Sequence, residues 1–114
     1  MDFNQHKPIY LQISDNICDQ ILSGNWAEEE RIPSVRELGI SMGVNPNTIM
    51  RTYEHLQSSN IIYNKRGVGF FVTPDARSSI VQIQKKQFID QELPLIIKRM
   101  ELLGITPQEV FDCK

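Results

Sequence analysis

Cysteine is scarce in this chain. Among its 114 residues only Cys18 and Cys113 occur, far apart, neither in a CxxC pair nor beside a histidine. That excludes a disulfide scaffold and a structural zinc site, which takes about four ligands. Cys18 falls among helix-packing positions and Cys113 reads as a tail thiol. Long apolar runs are missing too. None approaches the roughly 20 residues of a membrane span, and the start, "MDFNQHKPIY", lacks the charged-then-apolar pattern of a signal peptide. We expect a cytoplasmic protein with no membrane partner. Catalytic signatures are absent as well: no nucleophile elbow, P-loop, HExxH or paired His/Cys cluster occurs. We therefore expect no enzyme, no metal and no cofactor. His6 and His55 read as ordinary surface residues.

Positive charge in bulk is also lacking. The net charge is −2; residues 1–74 hold six basic and eight acidic residues, and residues 75–114 six of each. Nucleic acid cannot be held here by overall charge, because phosphate binding needs clustered Lys and Arg. Any case for DNA rests on where the bases stand.

Helical periodicity is what the chain does have. In "IYLQISDNICDQILS", residues 9–23, Tyr10, Ile13, Ile17 and Ile21 form one apolar stripe, and Leu11, Cys18 and Leu22 a second about 100° round. The second stripe needs a further partner, another element or another subunit. Gly24 ends this helix, and "NWAEEERIP" reads as a loop whose three glutamates face solvent. Ser34 and Glu37 then have the spacing of a capping box, opening a short helix with Val35, Leu38 and Met42 on its apolar face and Gly43 at its end. Asn45 is a favoured N-cap, and Pro46 at the next position starts another helix, since the first N–H has no intrahelical partner to lose. Two helices across so short a turn make a helix-turn-helix. In the second, residues 46–58, Ile49, Tyr53 and Leu56 face inward; Asn47, Arg51 and Glu54 lie opposite, flanked by Thr48 and His55. Asn, Thr and Arg are side chains that bond base edges or phosphates.

"IIYNKRGVGFFVTP" predicts a hairpin with strands at Ile61–Asn64 and Phe70–Thr73 and Lys65, Arg66 and Gly67 at its connection. A basic-tipped hairpin after a helix-turn-helix is the layout of a wing. Residues 76–103 read as helical, with Ile80, Ile83, Phe88, Ile89, Leu93, Ile96, Ile97, Met100 and Leu103 apolar; Pro94 should kink or split the segment. Thr106, Pro107 and Glu109 cap a last helix.

Residues 31–72, through "PSVREL", "GVNPNT" and "RGVGFFV", resemble the DNA-binding domain of GntR-family bacterial transcription regulators, and with the preceding helix the likeness covers residues 8–74. The resemblance implies an α+β fold, a mostly helical winged helix-turn-helix over residues 1–74, followed by a helical region over 75–114. That short tail is similar to the YtrA-type subfamily, whose tail mainly dimerises and whose members are often repressors. It implies DNA contacts by Ser34, Arg36, Asn45, Asn47, Thr48, Arg51, Lys65, Arg66 and Gly67. It also implies self-association through Phe88, Ile89, Leu93, Ile96, Ile97, Met100 and Leu103. Pro46 and Asn47 replace the Arg-rich start of other GntR branches, and Met50 stands where relatives often carry a polar residue. We expect a homodimer on a palindromic operator in double-stranded DNA; no residue names a small-molecule effector. The runner-up is a winged-helix module that binds protein, disfavoured by the polar outer face of helix 46–58 and the basic hairpin.

Overall fold

The computed structural model describes residues 7–112; His6 and Cys113 lie outside the described residues. In chain order the elements are α1 (Ile9–Leu22), α2 (Val35–Met42), α3 (Pro46–Ser58), β1 (Ile62–Lys65), β2 (Gly69–Val72), α4 (Ala76–Gln87), a π-helical turn (Phe88–Glu92), α5 (Leu93–Leu103) and α6 (Pro107–Asp112). They group into two compact units, one reaching to Ile80 and one starting at Val81. No helix among the described residues is long and apolar enough to cross a membrane.

In the first unit, α3 packs against both α1 and α2. The stripe Ile13, Ile17 and Ile21 of α1 and the stripe Ile49, Tyr53 and Leu56 of α3 are buried together with Leu38, Ile62, Val72, Ala76 and Ile80. Each of the larger aliphatic side chains is worth about 1.5–3 kcal/mol when fully buried. The second stripe of α1 finds its partner within the same unit: Cys18 is buried and Leu22 packs on the same cluster. Burial, and then the charges of Asp15 and Asp19, push the Cys18 thiol up to about 12. At neutral pH it is an inert packing group. Buried Thr52 donates its hydroxyl to the carbonyls of Tyr10 (2.9 Å) and Thr48 (3.1 Å), tying the start of α1 to the middle of α3.

α2 follows its expected bounds, and its cap is complete. The Ser34 hydroxyl accepts the Glu37 N–H at 3.0 Å, while the Ser34 N–H donates to the Glu37 carboxylate at 2.8 Å. Its apolar face differs from expectation. Met42 is exposed, and the buried positions are Leu38 and Gly39. The reason is the turn that follows. A Cβ on Gly39 would stand 2.8 Å from the Val44 carbonyl oxygen, so only glycine lets the chain fold back this tightly. Gly43 turns the chain in the left-handed region at φ 68°, and the Asn45 side chain accepts the Asn47 N–H at 2.8 Å to start α3.

The strands are shifted by one residue from expectation. Ile62 pairs with Val72, Tyr63 with Phe71, Asn64 with Phe70 and Lys65 with Gly69. Lys65 and Gly69 thus close the ladder rather than lie in its connection, and Tyr63 stacks on Phe71 across it. The stretch expected to be a plain loop also contributes. Glu29 donates its N–H to Val72, Ile32 to Phe70, and Val72 donates back to Glu30, at 2.8–3.0 Å. This short run flanks β2 as a third, irregular strand and buries Ile32. Arg77, at the start of α4, donates its guanidinium to the Ile21 and Leu22 carbonyls, capping the open end of α1.

In the second unit, Pro94 has its expected effect. Its missing N–H and its ring cannot fit a regular ladder, so the helix widens into the π-turn at Phe88–Glu92 and α5 begins anew at Leu93. Gly104 ends α5 at φ 69°. Thr106 and Glu109 cap α6 reciprocally through N–H bonds of 2.7 and 3.2 Å.

Candidate nucleic-acid interface

The outer face of α3 follows from its inner one. With Ile49, Thr52, Tyr53 and Leu56 buried, a period of about 3.6 residues turns Asn47, Met50, Arg51 and Glu54 outward, and all four are exposed. Tyr53 holds the helix at a set depth. Its hydroxyl donates to the Pro33 carbonyl at 2.7 Å, and its ring meets Phe70 of β2 edge-on at 4.9 Å. One buried side chain therefore joins the recognition helix to the start of α2 and to the wing. Burial first, then the Glu37 charge, pushes the Tyr53 phenol up.

Three of the expected contact residues come together in space. Asn47, Thr48 and Arg51 line one cleft of about 310 Å³ with Pro8, Ile9 and Tyr10 from the start of α1. The Arg51 guanidinium lies over the Tyr10 ring, 4.5 Å from its centroid. The ring also meets His55 edge-on at 6.1 Å. Tyr10 was legible only as a member of an apolar stripe. No signal along the chain ties residue 10 to residue 51, so its place beside the outer face was missed.

The other expected residues occupy separate edges. Ser34 and Asn45 have their side-chain oxygens engaged as helix caps. Hydrogen bonds from the Ser34 N–H and hydroxyl hold the Glu37 carboxyl below its usual range. Arg36 is exposed in the first turn of α2. A cation there opposes the helix dipole, which favours anions at that end, so Arg36 is not placed for the helix's sake. Lys65, Arg66 and Gly67 form the wing tip. Val68 donates its N–H to the Lys65 carbonyl at 2.8 Å, and Gly67 at φ 80° supplies the positive dihedral such a turn needs.

The charge distribution repairs the poor overall balance. Lys7 is paired with Asp15, whereas no ion pair among the described residues engages Arg36, Arg51, Lys65 or Arg66. Four cations without ion pairs therefore stand on α2, α3 and the wing, Arg51 over the Tyr10 ring and Lys65 over the Phe71 ring at 5.8 Å. They are arranged with amide and hydroxyl groups suited to phosphates and base edges.

A helix-turn-helix followed by a two-stranded wing defines the class. Residues 9–72 match the model for bacterial regulatory proteins of the gntR family, and the chain belongs to that family of DNA-binding transcription regulators. It is 37% identical to the HTH-type transcriptional regulator YhcF of Bacillus subtilis, over 96% of this chain and 89% of that one. It is 32% identical to the HTH-type transcriptional repressor YtrA of the same organism, over 98% and 85%. A GntR-family regulator from Bacteroides thetaiotaomicron superposes with a TM-score of 0.80 at 48% identity, covering 92% of this chain and 91% of that one. The DNA-binding domain of AraR, solved in complex with operator ORR3, matches 58% of this chain and 80% of that one at 32% identity and a TM-score of 0.55. The winged fold and the likeness to YtrA thus stand, and these relatives are regulators, not enzymes.

Proposed function

We propose that this protein is a transcription repressor that acts in the cytoplasm as a homodimer on a palindromic operator. The observation that carries the reading is the outer face of α3. It presents Asn47, Thr48 and Arg51, with Arg36, Lys65 and Arg66 as further cations, and none of the four cations has an ion pair among the described residues. In this reading α3 enters the major groove, with Asn47 and Arg51 at base edges and Thr48 near phosphate. Ser34, Arg36 and Asn45 approach the backbone at the first helix's start and the turn. Gly67 lets the wing tip come close to the minor groove, where Lys65 and Arg66 meet the concentrated negative potential of narrow A·T stretches.

The region 75–114 supplies the dimer contact. Phe88, Ile89, Ile96, Ile97 and Leu103 are exposed, and Leu93 and Met100 are half-buried. The region carries six acids and six bases, a balance compatible with pairing to a second copy. Two-fold symmetry then sets half-sites about one helical turn apart. Occupation of a promoter by such a dimer blocks transcription.

The test is light scattering on the full chain, followed by a mobility shift of the same sample on DNA from upstream of its own gene. A dimer is expected to shift this DNA, to lose it steeply as salt rises, and to weaken at least about 10-fold on Arg51→Ala with its fold intact. A monomer, or a dimer indifferent to all DNA at low salt, would favour a protein-binding winged helix instead.

A further inference from the structure

We infer that Tyr10 is a positioning residue for Arg51, holding its guanidinium ready at the DNA-reading face. The inference rests on the DNA-binding reading above and assigns a role to a residue outside the helix-turn-helix and the wing.

Three observations carry it. The first is that the Arg51 guanidinium lies over the Tyr10 ring at 4.5 Å from the centroid. A cation against an aromatic face is held electrostatically without spending its hydrogen-bond donors on a fixed acceptor. No hydrogen bond or ion pair engages the Arg51 guanidinium among the described residues, although Glu54 stands one turn along on the same face. The second is that the ring itself is fixed. Thr52, the buried neighbour of Arg51 in sequence, donates its hydroxyl to the Tyr10 carbonyl at 2.9 Å, and His55 closes on the ring edge at 6.1 Å. The bond from Thr52 ties the backbone of residue 10 to α3, so ring and guanidinium keep a common frame. The third is exposure. Tyr10 is half-buried and lines the cleft shared with Asn47 and Thr48, outside the buried cluster that Ile13, Ile17 and Ile21 enter. Its ring is therefore not consumed by the core.

The physical consequence is preorganisation. A free arginine samples many rotamers and must give them up when it docks on a base or a phosphate. An arginine already leaning on an aromatic ring has surrendered part of that freedom before binding. Tyrosine suits the task because it presents a large face on only two side-chain torsions.

The test is a double-mutant cycle on DNA affinity, using the duplex that the wild-type chain enriches from a random-sequence pool. Tyr10→Leu is expected to weaken this duplex about 3- to 10-fold, with an unchanged unfolding temperature. In an Arg51→Ala background the same change should cost nothing further. Tyr10→Phe, which keeps the ring, should bind as the wild type does. Unchanged affinity for Tyr10→Leu would overturn the inference while leaving the DNA-binding reading in place. So would an equal loss with and without Arg51, which would make Tyr10 act through the fold or by its own contact. A loss in Tyr10→Phe would shift the role to the hydroxyl and overturn it too. If the wild type enriches no sequence at all, the reading of the protein as a specific DNA binder falls first and takes this inference with it.

Discussion

The two units spend their apolar residues in opposite ways. Up to Ile80, isoleucines, Leu38, Tyr53, Leu56 and Val72 from four helices and both strands are sealed in one cluster. From Val81 onward no described residue is buried, and Phe88, Ile89, Leu95, Ile96, Ile97, Leu102, Leu103, Val110 and Phe111 are all exposed. A helix turns only one face to any neighbour, and short helices in line along the chain offer each other little to cover. The first unit therefore has a core of its own. The second carries the residues of a core without the partner that would make one. In the reading proposed above, that partner is the second copy, so the fold of one region is settled within the chain and that of the other by association.

Replacing a buried residue of the first unit should break this comparison most strongly. Tyr53→Ala removes a fully buried ring, its bond to Pro33 and its contact with Phe70. It is expected to cost about 3–5 kcal/mol, read as a lowered urea midpoint, with self-association through the tail retained. The complementary change is Ile96→Glu together with Ile97→Glu. Charges set into an apolar contact without partners should weaken the dimer on the order of 100-fold. Light scattering should then report a monomer whose first unit still unfolds cooperatively. A variant that remains dimeric would place the contact elsewhere.

A further effect is one of pH, confined to alkaline solution. Cys18, pushed up to about 12 from an ordinary 9.0, and Tyr53, also pushed up, keep their protons in the folded state where the unfolded chain has lost them. Above about pH 9 the unfolded state therefore binds fewer protons than the native one. The contribution of these groups is complete below that point and declines as pH rises, by about 1.4 kcal/mol per pH unit for each group so affected. Urea midpoints between neutral and alkaline pH should follow that fall, and Cys18→Ala should remove part of the slope.

Much of this was legible from residue order because its causes are local. Ser34 with Glu37, Asn45 with Pro46, Gly43 and the inward set Ile49, Tyr53 and Leu56 are all decided within a turn or two of helix, and the structure keeps them. The wing was legible too, with each strand lying only one residue nearer the turn than expected, but the flanking run Glu29–Ile32 that pins β2 was not, because it lies far back in the chain. Gly39 escaped notice because its need for glycine comes from the approach of Val44 across the turn. Tyr10 did so because its ring is claimed by residues some forty positions on.

The sequence by itself determined where helices begin and end, which face of α3 is polar, and that a basic turn follows it, because capping, periodicity and turn chemistry act between near neighbours. Only the tertiary structure decided which distant groups meet: the bond from Tyr53 to Pro33, the cap of α1 by Arg77, and the seat of Arg51 on Tyr10. Those contacts form when packing of the core brings separate helices into register, and no spacing along the chain encodes them.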